Sequence, residues 1–252
     1  MTVGIIQSSY IPWKGYFDFI DDVDVFVMYD DVQYSKNTWR NRNKIKTALG
    51  TTWLTVPVKY NSLSKIISET EIDYNQDWQS KHLRLIKENY YKSDFFEQIY
   101  DEFSELILNK YNNISQLNVA LIKWIMNKLG INTPLVMSAE LNPMGSKTER
   151  VIDILKKLKA TEYLSGPSAE NYLDYKMFEE VGIGLNYKSY IYKEYPQQNS
   201  PFEGEVTILD LLLNIGLNSR EFFKSKISNK IIIPHSYQVK IISAMSGLTT
   251  GA

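Results

Sequence analysis

The hydrophobic pattern at the start of the chain predicts a strand, a helix and a second strand. Residues 3–7 form a short apolar run that is typical of a buried strand. Residues 13–22 then carry aromatic and aliphatic side chains at the spacing of one helical face, and residues 24–29 form a second apolar run. Three such elements in so short a segment predict a parallel βαβ unit with a right-handed crossover.

The middle of the chain has helical periodicity. Amphipathic patterns over residues 78–130 indicate helices, the last of which is expected to begin at Ser115 as its N-cap and to stop at Gly130. Two β-rich segments, Thr51–Val58 and Ile66–Ile72, come before them and are expected to add strands.

Together these elements predict an α/β fold. We expect a Rossmann-like, mostly parallel sheet at the N-terminus with an inserted or central helical layer. One α/β domain is expected over residues 1–230, with the helical segment at about residues 78–130. Residues 231–252 end in small, polar, aperiodic sequence, so we expect a partly exposed C-terminal extension.

Composition excludes several classes of function. The net charge of −1 argues against non-specific binding to nucleic acid. The absence of cysteine excludes disulfides and thiol catalysis, and the two histidines, His82 and His235, exclude a multi-histidine metal site. No secretory signal and no apolar run long enough to span a bilayer are visible. We therefore expect a cytoplasmic protein with no metal and no resident cofactor; its oligomeric state stays open.

Polar clusters follow the first two strands, where open α/β sheets place their ligand crevices. Asp30 and Asp31, with Gln33 beyond, follow the second strand. They suit a general base or a metal-binding pair, or else a turn cap and a solvated carboxylate. Arg40 and Arg42, with Asn41 between them, suit a phosphate or carboxylate, or else a solvated basic face.

Aromatic residues surround these clusters. The 18 Tyr and 5 Trp of the chain include Tyr10, Trp13, Tyr16 and Trp39, whose rings can stack on a sugar or a base while their polar tips form hydrogen bonds.

Two further features suit a site. His82 lies on a predicted helix and is either a structural residue or a base that titrates near neutral pH. The turn after residue 164, with Ser165 and Gly166, is either an anion cradle or a plain turn.

Familiar nucleotide-binding and hydrolase motifs are absent. There is no GxGxxG after the first strand, no GxxxxGK[ST] loop and no GxSxG elbow. The loop after the first strand has the layout of nucleotidylyltransferases, but it has no histidine where that class carries an HxGH-like motif. Adenylyl transfer by that mechanism is therefore not expected.

Three ordered blocks carry a resemblance to a known family. They are residues 5–17 (IIQSSYIPWKGYF), 29–35 (YDDVQYS) and 39–46 (WRNRNKIK), and residues 163–168 (YLSGPS) add to them. This combination closely resembles the WbqC-like family of bacterial proteins over roughly residues 3–220. The chain departs from the family pattern at Ser8-Ser9, where Pro-Asn is usual, and at Lys193-Glu194, where His-Pro is usual.

The resemblance implies a transferase of bacterial surface-polysaccharide (O-antigen) synthesis. It implies transfer of an acyl or aminoacyl group, with glycine as one suggestion, to a nucleotide-linked amino sugar; the acyl donor is unknown. His82, Asp31 and Asp30 are its implied catalytic residues. The implied substrate-binding residues are Gln7, Tyr10, Trp13, Tyr16, Gln33, Arg40, Asn41, Arg42, Ser165, Gly166 and Gln197. The aromatic pattern adds Trp39 to this set.

The alternative is a non-catalytic protein that binds a nucleotide-sugar or a partner within a polysaccharide assembly pathway. Ligand binding without chemistry would distinguish it from an enzyme.

Overall fold

A six-stranded sheet forms the centre of the computed structural model, which describes residues 1–59 and 65–233. Its strands are β1 (Thr2–Ile6), β2 (Val25–Met28), β5 (Leu135–Met137), β6 (Glu162–Ser165), β7 (Gly184–Tyr187) and β8 (Lys230–Ile233). Their order is β5-β2-β1-β6-β7-β8, and each neighbouring pair is parallel except β7 and β8. The predicted α/β class with a mostly parallel sheet is confirmed.

The strand order places a topological switch point at β1. The chain leaves β1 through a helix to β2 on one side, and after β5 it crosses back to β6 on the other side. The loops after β1 and β6 therefore diverge, which leaves a crevice at the carboxyl ends of these two strands.

A separate antiparallel hairpin follows β2. It consists of β3 (Arg42–Thr47) and β4 (Gly50–Thr55), with Thr47 paired to Gly50 at its turn. Gly50 has a φ of 117°, a backbone conformation that favours glycine.

The described residues contain eight α-helices, and the first four lie where the sequence predicted helices. They are α1 (Lys14–Asp21), α2 (Trp78–Tyr90), α3 (Phe96–Leu108), α4 (Ile114–Leu129), α5 (Lys147–Lys157), α6 (Tyr175–Val181), α7 (Ile208–Ile215) and α8 (Arg220–Phe223). Ser146 and Glu149 form a capping box at α5, and Gly130 ends α4 in a left-handed conformation. Among the described residues no helix is both long and apolar enough to cross a bilayer.

The two faces of the sheet pack against different helices. Val3 and Ile5 of β1 point to the face that is covered by α5 and α6. Gly4, between them, lies against the Phe19 ring of α1, where a Cβ would come within 2.4 Å of the ring. The layer on that second face contains α1, α2, α3, α4 and α7, so the predicted central helical segment covers one side of the sheet.

Three local predictions differ from the structure. Asn113, and not Ser115, is the N-cap of α4, because its side chain accepts a hydrogen bond from the Gln116 backbone N–H. Ile67–Glu69 is a 3-10 helix and not a strand. Residues 231–233 of the predicted extension belong to β8, and residues 234–252 lie outside the described residues.

Candidate functional site

A cavity of about 430 Å³ opens at the switch point of the sheet. Ile6 at the end of β1 and residues 166–168 just after β6 line it, so both diverging loops contribute to its wall. The other lining residues come from α1, β3 and neighbouring loops: Ser9, Pro12, Trp13, Tyr16, Trp39, Arg40, Asn43, Tyr190 and Glu205.

Arg40 brings a positive charge to the cavity wall. One terminal nitrogen of its guanidinium donates to Gln7 Oε1, and the other donates to Ser9 Oγ at 2.7 Å. Burial lowers the pKa of Arg40, whereas the nearby Tyr16 and Asp30 raise it. The guanidinium still stays protonated at neutral pH. Within residues 1–59 and 65–233 no carboxylate forms an ion pair with it, so Arg40 can serve an anionic ligand.

Asp30 is buried and positions the loop after β1. Its Oδ1 accepts a hydrogen bond from the Ser8 backbone N–H at 2.8 Å, and its Oδ2 accepts one from Ser115 Oγ. Asn118 donates to Ser8 Oγ at 3.1 Å and to the Arg40 carbonyl at 2.9 Å. These bonds hold Ser8 and the Arg40 backbone in place, but Asp30 is not one of the lining residues.

Asp31 also lies away from the cavity lining. Its carboxylate forms a 2.6 Å ion pair with Arg150 of α5 and accepts a hydrogen bond from Ser138. The two neighbouring aspartates therefore bind different partners, so these contacts do not create a shared metal site.

His82 is buried beneath the loop after β1. Its Nδ1 lies 2.8 Å from the Tyr10 hydroxyl, and its ring packs against Trp78. Burial lowers the pKa of His82 to about 4, although a hydrogen bond to the Thr55 backbone opposes this. A backbone bond that raises the pKa of a histidine is one that the ring donates, so Nδ1 is left to accept a hydrogen bond from the Tyr10 hydroxyl. Neither His82 nor Tyr10 lines the cavity.

Three of the predicted aromatic residues do line the cavity: Trp13, Tyr16 and Trp39. The Trp13 ring packs edge-on against Tyr190 at a centroid distance of 5.1 Å. The Tyr16 hydroxyl donates to the Gln7 carbonyl at 3.1 Å, and burial raises the pKa of Tyr16. These contacts fix the rings in position before a ligand arrives.

Three further residues of the predicted site lie outside the cavity lining. Asn41 is buried and donates to the Val56 carbonyl at 2.9 Å. The Arg42 guanidinium lies over the Trp53 ring at 4.3 Å on the hairpin. Gln33 is exposed and pairs with Ile66 across an isolated bridge. None of the three lines the cavity.

The turn after β6 contributes in part. Gly166 lines the cavity together with Pro167 and Ser168, whereas the Ser165 hydroxyl is buried and bonded to Tyr163 at 3.2 Å. Gln197 lies elsewhere, where it bonds to Asp210 at 2.7 Å and to the Glu203 backbone.

Three lining residues lie outside the predicted set of site residues, namely Glu205, Tyr190 and Asn43. Asn43 lies in a block that carried the family resemblance, and it donates to the Ile11 carbonyl at 2.7 Å. Glu205 comes close because Thr207, two residues later, forms an isolated bridge with Trp13 and donates its N–H to the Lys44 carbonyl. Nothing local in the sequence predicts this approach.

Comparison with known proteins gives a family and one uncharacterized relative. The model of the WbqC-like protein family matches residues 7–222. The uncharacterized protein Rv1507c of Mycobacterium tuberculosis is 42% identical over 225 residues, which are 88% of this chain and 97% of the relative. No solved structure is a significant match.

Proposed function

This chain belongs to the WbqC-like protein family, and we propose that it is a transferase of bacterial surface-polysaccharide synthesis. In this proposal it moves an acyl or aminoacyl group, with glycine as one candidate, onto the amino group of a nucleotide-linked sugar. The observation that supports it is Arg40, whose guanidinium is held by neutral side chains in the wall of an aromatic cavity at the switch point of the sheet. Open parallel sheets bind nucleotides at this point.

Arg40 would bind the diphosphate of the substrate. A guanidinium offers paired N–H donors that match phosphate oxygens, and Ser9 and Gln7 keep its plane fixed. Residues 166–168 line the same cavity, and their backbone and the Ser168 hydroxyl would contact the same anion.

The aromatic wall would hold the sugar or the base. Trp13 and Tyr190 form one packed pair, and Trp39 lines the cavity with nearly half of its surface exposed. Such rings stack on sugar faces and on bases without selecting a particular one.

Glu205 is the carboxylate of the cavity wall, and we assign it the role of base. The neutral sugar amine would attack the acyl carbonyl, forming a C–N bond as the bond from carbonyl carbon to the donor's leaving group breaks. The proton lost by the nitrogen would pass to Glu205, and the leaving group would depart with the electron pair. His82 and Asp31 were the bases expected from the sequence; their bonds to Tyr10 and Arg150 favour positioning roles.

A binding protein without catalysis is the second candidate. It is favoured by one observation: each of the three residues first assigned to catalysis is bonded within the protein, Asp30 to Ser8, Asp31 to Arg150 and His82 to Tyr10.

The test combines binding and turnover. Purified protein is incubated with UDP- and dTDP-linked amino sugars and candidate acyl donors, and amide products are measured by mass spectrometry. Arg40→Ala is expected to weaken binding of the nucleotide-sugar by at least tenfold, since a charge-assisted contact is lost. Glu205→Gln is expected to lower kcat by about a hundredfold or more while binding persists.

The matched controls are two exposed residues that do not line the cavity. Arg84→Ala and Glu180→Gln remove the same charges outside the cavity lining and should behave like the wild type. Binding without any product would support the second candidate. If His82→Asn abolished turnover at unchanged stability while Glu205→Gln did not, Glu205 would not be the base.

A further inference from the structure

The outer face of the β3–β4 hairpin carries an unusual cluster of aromatic and basic side chains. Trp53 and Trp39 are 39% and 48% exposed, and their ring centroids lie 5.6 Å apart. Arg42 lies over the Trp53 ring at 4.3 Å, and Lys44 lies at 5.2 Å from the same ring. We call Trp39, Arg42, Lys44 and Trp53 the hairpin platform.

Strand pairing explains why these side chains share a face. Lys44 is the direct cross-strand partner of Trp53, and Arg42 pairs with Thr55, two residues further along β4. Residues two apart on a strand point to the same side, so both cations lie beside Trp53. Asn43, between the two cations, and Ile45, after Lys44, point inward and are buried.

The platform is continuous with the cavity but distinct from it. Trp39 lines the cavity and contacts Trp53, whereas Arg42, Lys44 and Trp53 do not line it. The separation of Arg40 from Arg42 therefore leaves two cationic positions, one in the cavity wall and one on the platform.

The charge of the platform is not balanced nearby. In the part of the chain that the structure describes, no carboxylate forms an ion pair with Arg42 or Lys44, and residues 60–64 and 234–252 contain no Asp or Glu. Two adjacent tryptophan rings, each more than a third exposed, form an apolar patch of the kind that marks a binding surface. Planar aromatic faces beside unpaired cations suit a ligand that has both a planar ring and phosphate groups.

We propose that the hairpin platform is a second binding site that takes the nucleoside phosphate part of the acyl donor. The base would stack on Trp53 and Trp39, and the phosphates would contact Arg42 and Lys44. The reactive end of such a donor would reach the cavity past Trp39, which belongs to both sites. The assignment to a donor rests on the proposed transferase function, because a transferase needs a second substrate.

Coenzyme A, AMP and UMP are suitable probes. Inorganic diphosphate is the control for the phosphate groups alone, and pantetheine is the control for the pantetheine arm of coenzyme A alone. Binding to wild type, Trp53→Ala and Arg42→Gln is measured by calorimetry at low salt. At least one nucleotide should bind, and each variant should weaken it roughly tenfold, in the range found for loss of base stacking. Lys123→Gln removes an exposed lysine elsewhere and should leave binding unchanged.

Other outcomes would overturn the proposal. These are no binding of any nucleotide, diphosphate binding as tight as nucleotide binding, or tighter binding of a neutral oligosaccharide such as maltohexaose. Melting temperatures show whether each variant is folded. If Trp53→Ala does not fold, Arg42→Gln still tests the proposal.

Failure of the proposed function would look different from failure of the platform. If no product forms but nucleotide binding depends on Trp53, the platform stands and the transferase assignment falls. If product forms and the apparent KM for the donor is unchanged in Trp53→Ala, the platform assignment falls and the transferase stands.

Discussion

At the scale of single residues, burial decides which polar side chains are available to a ligand. Arg40 is held by two neutral acceptors and keeps a charge that no carboxylate among the described residues pairs with. His82, by contrast, is enclosed by Tyr10 and Trp78, and its lowered pKa keeps it neutral at physiological pH. A neutral imidazole that accepts a hydrogen bond from the Tyr10 hydroxyl acts as a structural partner of that hydroxyl.

The lowered pKa of His82 predicts a pH dependence of stability. His82 has a pKa of about 6.5 in the unfolded chain and of about 4 in the folded protein. Between these values the unfolded state binds more protons, so stability falls as the pH falls from 6.5 to 4, by about 3 kcal/mol in total.

Urea unfolding of wild type and His82→Asn from pH 4 to pH 7 measures this contribution. The variant should be less stable at pH 7, because the Tyr10 hydroxyl loses its partner, yet its stability should depend less on pH in this window. Equal pH slopes in the two proteins would contradict a buried, neutral His82.

At the scale of elements, the start of α1 shapes the cavity. The Trp13 ring, just before the helix, lies directly against Gly15, where a Cβ would come within 2.3 Å of the ring. Tyr190 and Tyr192 contact the Trp13 ring edge-on. Gly15 therefore sets where Trp13 can lie, and through it the shape of one cavity wall.

Gly15→Ala should displace Trp13. Alanine is the better helix former, but the steric conflict outweighs this gain, so we expect a net loss of about 1–2 kcal/mol and weaker nucleotide-sugar binding. Thermal melting and binding titrations measure both effects. Gly166→Ala is the matched control for stability, since no atom lies within 4 Å of the added methyl group; a Gly15→Ala protein as stable as this control would refute the steric account.

At the scale of the whole molecule, a buried ion network joins distant parts of the chain. Lys188, just after β7, pairs with Asp18 of α1 at 2.8 Å and with Asp22 at 2.6 Å. Lys224 contacts the same aspartates from the segment after α8. Lys188 and Asp18 are almost fully buried, so this network fixes α1 against the second half of the sheet.

Removing Lys188 should destabilise the fold. Lys188→Met leaves Asp18 buried with fewer compensating charges, and we expect a loss of about 3 kcal/mol in the free energy of unfolding. Lys193→Met removes an exposed partner of Glu221 and should cost less than about 1 kcal/mol. Denaturant unfolding of both variants provides the comparison, and similar losses in the two would show that the buried network contributes no more than a surface pair.

The pattern of hydrophobic and polar residues in the sequence predicted the sheet more completely than it predicted the site. Strands and helices follow local periodicity, so β1, α1 and β2 begin and end close to their expected positions. Trp13 and Trp39 lie at the cavity because each belongs to a segment that follows a strand of the parallel sheet. Trp13 comes after β1, and Trp39 comes after β2. The direction of a side chain is harder to predict, since Asp30 and Asp31 are adjacent yet bind different helices.

The sequence by itself determined the α/β class, the family and the approximate place of a crevice, because periodicity, strand-end polar clusters and ordered motifs are local properties. Only the tertiary structure decided which side chains meet. Hairpin pairing put Arg42 on Trp53 and away from Arg40, and folding brought His82 to Tyr10 and Glu205 to the cavity wall. The contacts of His82 and Glu205 join residues far apart in the chain, so no local pattern encodes them.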